Sequence, residues 1–450
     1  MLETQAMYPI ANRGRNGDQE RFLLFELDTR GHHPGYIQHL VRYWCQHNLP
    51  GQLDVLVSPK FIQQHHNIVK LAESSSTVRF ISITEAEEAA LFNSFDLAHS
   101  FRGRIVRAFQ EWRLLRQYAL SLGTTHIFVM YLDTVLLRLA LKVTLPCPVS
   151  AIYFRPILHY GTFPNYVPEG KESAWQWRDR VCLARFLLYP NLQTLFCLDP
   201  FAVEYINQVY GTTKAVYLPD PVQRYTYAES EYEQLKTRLG IQPNRTVFLL
   251  FGALSSRKGL SQVLDAIALL PPALCQRMAL LLVGPMEEPQ QLEARIAELS
   301  TTKPIQIITE HRFVPDEAIH PYFQISDVVL VPYQRHVGMS AIVVRAAAAQ
   351  KPVLASDFGL VGELTRRYQL GLTVDSTQPD EIAKGMTRYL LEIPSELCDP
   401  AQQKQFADRN TAEQFAGQIF QCLQRSPARR DRSFANPASD YSQLSNSQIL

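Results

Sequence analysis

A chain of 450 residues exceeds what one ordinary core organises, so its length points to two or three domains. Apolar residues make up 46% and charged residues 19%, an ordinary globular balance, and a formal net charge of +1 gives no overall field for nucleic acid or an anionic membrane. The seven cysteines (Cys45, Cys147, Cys182, Cys197, Cys275, Cys398, Cys422) form no CxxC pair, no run of about 18 apolar residues marks a membrane span, and the N-terminus lacks an apolar signal core. These absences predict a soluble protein of the reducing cytoplasm.

Residues 1–20 are polar and read as a flexible N-terminus. Short apolar runs then alternate with segments long enough for helices. In the first half the predicted strands are Phe22–Leu27, Val55–Ser58, Val78–Ile83, His126–Met130, Val149–Phe154 and Thr194–Cys197. The second half adds Val247–Phe251, Ala279–Val283, Ile305–Ile308, Val328–Val331, Pro352–Ala355 and a weaker run at Gly371–Val374. That alternation predicts α/β architecture, with parallel sheets covered by helices on both faces. The pattern restarts after the two prolines of Tyr217–Val222, followed by a polar stretch, Gln223–Glu233, that reads as a linker. Domains of 21–222 and 223–400 follow, then helices over 401–424 and a polar tail, 425–450, too poor in apolar residues to order itself.

Ligands of doubly wound sheets bind beyond the carboxyl ends of the strands, where loops turn into helices. Three such turns stand out. After Phe22–Leu27 come Gly31, His32, His33, Pro34 and Gly35, then a helix with Ile37, Leu40, Val41 and Trp44 on one face. After Val247–Phe251, Gly252 opens a loop in which Ser255 or Ser256 is expected to cap a helix striped by Leu260, Val263, Leu264 and Ile267. Arg257 and Lys258 then fall in that helix's first turn, the wrong end for cations unless an anion joins them. After Val328–Val331, the loop reaches Gly338, and Ser340 is expected to cap an alanine-rich helix over 341–349.

With these turns in order, the chain resembles the GT-B glycosyltransferases, most closely the retaining group called glycosyltransferase family 4, over roughly residues 21–424. The second half carries most of the resemblance. Gly252, Lys258 and Gly259 sit where the family has a glycine and a Lys-Gly, with Ala253 in place of its usual arginine. The run LLLVGP looks like the family's strand and glycine turn at Gly284, and Asp327 like the aspartate ending a helix. Gly359, Gly362, Glu363 and Gly371 match the segment closing the nucleotide pocket. In the first half, GHHPG sits where the family has its glycine-rich acceptor loop. Residues 401–424 resemble the helices that cross back onto the first domain.

The resemblance implies two Rossmann-like domains facing a central cleft, and transfer of a sugar from a nucleoside-diphosphate sugar to a polysaccharide, lipid or small glycoside acceptor. No metal and no cofactor are expected beyond the donor itself. Lys258 and Arg257 would hold the diphosphate, helped by N–H groups near Gly338–Ser340. Asp133, His32 and His33 are candidates for the acceptor side, where a carboxylate or imidazole orients or deprotonates a hydroxyl. Gly31, Gly35, Gly252, Gly284, Gly338, Ser340, Arg345, Gly359 and Glu363 are candidates for substrate contact. One departure stands out. The family's paired glutamates, eight residues apart, are replaced by Val337 and Arg345, neither of which accepts a hydrogen bond. A catalytically silent scaffold that binds a carbohydrate or protein partner, an inverting transferase and a sugar-nucleotide epimerase therefore stay open. The segment 101–122 carries five arginines against one glutamate and 178–190 is similar, so weak peripheral contact with the inner membrane face is a further expectation, against an ordinary solvated basic face.

Overall fold

The computed structural model describes residues 20–92, 101–141, 145–163, 166–170, 172–287, 289–393 and 396–424. The loose ends expected at 1–20 and 425–450 lie outside these residues except for Glu20, whose carbonyl accepts a 2.8 Å bond from Gln52 N–H and so extends the first sheet.

Two sheets are present, and every strand pair in them is parallel. The first runs β3-β2-β1-β4-β5-β6-β7, with β1 Arg21–Phe25, β2 Gln52–Val57, β3 Val78–Ser82, β4 His126–Val129, β5 Val149–Tyr153, β6 Leu192–Cys197 and β7 Ala215–Tyr217. The second runs β10-β9-β8-β11-β12-β13, with β8 Thr246–Phe251, β9 Met278–Val283, β10 Gln306–Glu310, β11 Val328–Val331, β12 Val353–Ser356 and β13 Gly371–Val374. Each order reverses once, between β1 and β4 and between β8 and β11, and a crevice opens at such a reversal.

Helices on both faces explain why the strands are continuous apolar runs instead of alternating ones. Along β1, Phe22 and Leu24 face Ile37, Leu40, Val41 and Trp44 of helix α1, His33–Gln46. Leu23 and Phe25 face the opposite cluster, with Leu114 and Leu115 of α2, Phe101–Ser121, and Val135 of α3, Leu132–Leu139. The second sheet is covered by α4, Leu260–Leu269, α5, Ala341–Ala348, and α6, Gly359–Arg367, among others.

Three sequence expectations change. The three-residue strand β7 was hidden because it is shorter than the apolar runs that mark the other strands. The stretch read as a linker is helical from Glu229 onward, in Glu229–Leu239. The segment expected to cross back divides: α7, Pro400–Arg409, packs on α5 of the second domain, and only α8, Ala412–Gln424, reaches α1 of the first. Asn410 marks the turn between them. Its side-chain oxygen accepts from Tyr217 Oη at 3.1 Å and Asp220 N–H at 2.8 Å, while its amide donates to Phe406 O at 2.8 Å. Beyond it, Phe420 meets Trp44 edge-on at 5.2 Å.

Candidate functional site

The reversal in the second sheet is framed by the loops after β8 and β11. Ser256–Lys258 form a single 3-10 turn, and α4 starts only at Leu260, so Arg257 and Lys258 precede the helix instead of occupying its first turn. Gly259 makes the break. Its φ is 74°, and a Cβ there would lie 2.2 Å from Pro332 O, so only glycine allows the two loops to touch. Ser255 makes no side-chain cap. Gly252 and Gly284 touch in the same way: a Cβ on Gly284 would stand 2.1 Å from Gly252 O.

This backbone geometry turns Lys258 inward, leaving it 6% exposed. Its Nζ donates to Tyr333 Oη at 2.6 Å and to Phe251 O at 3.2 Å. Tyr333 Oη lies 3.1 Å from Ser340 Oγ, so Ser340 occupies the N-cap position of α5 without capping it and completes a Lys258–Tyr333–Ser340 chain. Arg257 Nη1 lies 3.3 Å from His336 Nδ1, and His336 Nε2 is 3.3 Å from Met339 O. Those partners keep His336 neutral with its proton on Nε2. Burial first, then the neighbouring Arg257, Lys258 and Arg155 charges, push its pKa down to about 4. Among the described residues no carboxylate forms an ion pair with Arg155, Arg257 or Lys258.

The loop bearing His336 is held against the first domain. Gly338 N–H donates to Tyr160 Oη at 3.0 Å, so this N–H, expected to serve a diphosphate, is already engaged. Gly359 rests on the Tyr160 ring, 2.9 Å from a Cβ placed there. Arg335 bridges to Glu169 and Glu172 at 2.9 Å each, and Gly338 lies against Phe154 and Arg155.

Phe154 and Arg155 follow β5, beside the reversal of the first sheet, where a cavity of about 160 Å³ is lined by Glu26, Asp28, His33, Arg107, Glu111, Tyr131, Thr134 and Arg155, among others. Glu26, which the apolar run Phe22–Leu27 includes in the expected strand, lies just beyond β1 and is 5% exposed. Its carboxylate accepts from Asp28 N–H at 2.8 Å and holds His33 Nδ1 at 2.7 Å. Burial works against the His33 imidazolium, but the Glu26 carboxylate outweighs it and the pKa is raised. Arg107 pairs with buried Glu111 at 2.6 Å, so one arginine of the basic face expected on α2 turns inward. Among the described residues no helix is long and apolar enough to cross a membrane.

The remaining sequence candidates fall in separate places. His32 stacks on His33 at 4.5 Å and lies 4.8 Å from Phe154; burial, then the His33 and Arg155 charges, push its pKa down to about 3. Asp133 does not line the first-sheet cavity. Its two oxygens accept from Phe154 and Arg155 N–H at 2.9 and 3.0 Å, so it ties down the loop after β5. Gly31 opens the loop before α1, and Gly35 lies inside that helix. Glu363 is bound by Arg366 at 3.0 Å and Arg367 at 2.6 Å of its own helix. Arg345 pairs with Asp316 and lines a second cavity, of about 380 Å³, beside the interdomain segment with Arg224, Tyr225 and His320. Sequence reasoning missed Glu26, Arg155, Tyr160, Tyr333 and His336. The one local signal was an acid, Glu26, inside an otherwise apolar run.

Residues 231–406 match the family Glycosyl transferases group 1. The lipopolysaccharide 1,2-N-acetylglucosaminetransferase of Salmonella typhimurium is 29% identical over 143 residues, 31% of this chain and 37% of that protein. The chain spans less than half the length of the curated relatives it matches, 37% to 43%. Among solved structures, the N-terminal domain of Candida albicans trehalose-6-phosphate phosphatase superposes with a TM-score of 0.63 at 11% identity, covering 92% of this chain and 99% of that one. Anabaena Alr3699/HepE in complex with UDP superposes with a TM-score of 0.61 at 16% identity, covering 90% of this chain and 99% of that one. Residues 231–406 thus match the Glycosyl transferases group 1 family, and they form the second half of a GT-B architecture of two Rossmann-like domains.

Proposed function

We propose that the protein transfers a sugar from a nucleoside-diphosphate sugar to an acceptor hydroxyl, with the diphosphate held at the second-sheet switch point. The observation that carries this reading is a buried lysine with no carboxylate ion-pair partner among the described residues, which together with Arg257 and Arg155 bears on the His336 imidazole. Burying an ammonium without a counter-ion is costly, and an arriving diphosphate removes that cost. Lys258 has three N–H donors, two of them given to Phe251 O and Tyr333 Oη, and the third suits a phosphate oxygen. As the bond to the sugar breaks, charge grows on the departing oxygen, and fixed cations favour that state more than the ground state. The UDP in the HepE complex is consistent with a uridine donor; the acceptor class is left open.

A thermal-shift panel of UDP, GDP, ADP and CMP tests the reading on wild type and Lys258→Ala. A ligand that binds only the folded state at about 100 times its Kd adds roughly 2.7 kcal/mol of stability. One nucleoside diphosphate is expected to raise the wild-type Tm and to lose most of that effect in the variant. If no nucleotide shifts the wild type, the transferase reading fails, and a scaffold that binds without catalysis takes its place. That alternative draws on the replacement of the paired glutamates by Val337 and Arg345, the latter tied to Asp316.

A further inference from the structure

We propose that the outer face of one helical layer of the first domain, formed by α2, α3 and the helix Glu172–Leu187, docks on an anionic phospholipid bilayer. The three helices cover the same side of the first sheet. Leu114 and Leu115 of α2, Val135 and Leu136 of α3, and Leu183 and Phe186 of the helix Glu172–Leu187 enter one buried cluster, and α3 packs against both neighbours. Their opposite faces therefore point outward on one side of the domain.

A helix face turned away from the core is ordinarily polar, and these are not. On α2, Val106, Phe109, Arg113, Arg116 and Leu120 recur at intervals of three and four residues and are all exposed. On the helix Glu172–Leu187, Trp177, Val181, Arg185 and, just past its end, Leu188 form a second stripe, with Trp177 68% and Leu188 82% exposed. Between the stripes, Arg138 of α3 lies over the Phe109 ring at 4.7 Å.

The acids on these helices are all engaged: Glu111 with Arg107, Asp179 with Arg178, Glu172 with Arg335, and Asp133 with the N–H groups of Phe154 and Arg155. Among the described residues no carboxylate forms an ion pair with Arg113, Arg116 or Arg185. The face thus joins apolar bulk to unpaired positive charge. Arginines meet anionic headgroups, while Phe, Trp and Leu side chains enter the boundary with the acyl chains. A twofold pairing with a second copy instead sets arginine stripe against arginine stripe. Arg107 and Glu111, on the inward side of α2, wall the first-sheet cavity, so the docking face and that cavity share one helix.

The test sediments the full-length protein with sucrose-loaded vesicles, either of phosphatidylcholine alone or of phosphatidylcholine and phosphatidylglycerol in equal parts. The protein is expected to pellet with the anionic vesicles and to stay in solution with the neutral ones. Two variants change exposed side chains only, and near-UV circular dichroism checks that each is folded. The triple variant R113Q/R116Q/R185Q is expected to lose roughly 100-fold in partition coefficient, about fivefold per arginine. The double variant W177S/L188S is expected to lose about tenfold or more. Tryptophan emission of the wild type is expected to shift to the blue on anionic vesicles, and Trp177→Phe to lose most of that shift. No binding to anionic vesicles, equal binding to neutral ones, or undiminished binding by either multiple variant would overturn the proposal. A dimer in sedimentation equilibrium that W177S/L188S abolishes, without vesicle binding, also overturns it and gives the face to a second copy. No nucleotide or sugar enters the assay, so its outcome is independent of the transferase reading.

Discussion

The switch points of the two sheets occupy equivalent places in equivalent strand orders, yet they are built from different materials. After β8 the switch point is mostly backbone: Gly252, Gly259 and Gly284 bring loops into contact, and one lysine is turned inward as a result. After β1 the pocket is mostly side chains, drawn from the ends of three strands and from α1, α2 and α3. A site built from backbone contacts tolerates few substitutions, whereas a side-chain cavity is remade by single ones. The family match covers only the second domain, in keeping with that difference.

The sharpest way to break the comparison is to remove the lysine. Lys258→Ala is expected to lower kcat by about 10²- to 10³-fold, the usual cost of a fixed charge that stabilises a leaving oxygen. A loss below tenfold in a steady-state assay would put the weight of catalysis elsewhere. Next comes Gly284→Ala, whose new methyl meets Gly252 O at 2.1 Å. Its urea midpoint is expected to report a loss of roughly 2–4 kcal/mol, within the range for strained backbone sites.

The first domain contributes a pH effect. Burial pushes the His126 imidazole in β4 down to about 4, below its unfolded value near 6.5. The unfolded chain therefore binds the proton more tightly, so this group's stabilisation is full above pH 6.5 and is lost as pH falls toward 4. Asp133, raised to about 6 by burial, gives the opposite slope in the same window, so the wild-type curve alone is not diagnostic. Urea titrations at pH 7 and 4.5 are expected to show a loss on acidification about 2–3 kcal/mol smaller in His126→Gln than in wild type.

Smaller effects sharpen the contrast. Tyr160→Phe removes the acceptor for Gly338 N–H and is expected to cost about 1 kcal/mol by chemical denaturation. Gly35→Ala should go the other way. The residue is helical and a Cβ there meets nothing within 4 Å, so a gain of about 0.5–1 kcal/mol in the same assay is expected. A loss there would mean that the first-domain turn, like the second, depends on bare backbone.

Much of the fold was legible because it rests on local periodicity. The buried strands read as apolar runs, and the stripe Leu260, Val263, Leu264 and Ile267 marked α4. Exact helix starts were not legible, because Ser255 and Ser340 have the side chains of caps but neither caps a helix. His32 and His33 are adjacent and chemically identical in the chain, and only Glu26, seven residues earlier and turned into the same cavity, distinguishes them. In the sequence Asp133 reads as an acceptor-side carboxylate, but the N–H groups of Phe154 and Arg155, more than twenty residues later, occupy it.

By itself the sequence determined the two parallel sheets and a glycine-opened loop carrying Lys258 after β8, though not the 3-10 form of that loop, since apolar runs and glycines act over a few residues. Tertiary structure alone decided which titratable groups meet. It set Glu26 on His33, Lys258 on Tyr333, Tyr160 under Gly338, and α8 on the first domain while α7 stayed with the second. Those contacts span up to hundreds of residues. They depend on where parallel strands end and on which faces the helices bury, and no local pattern encodes that geometry.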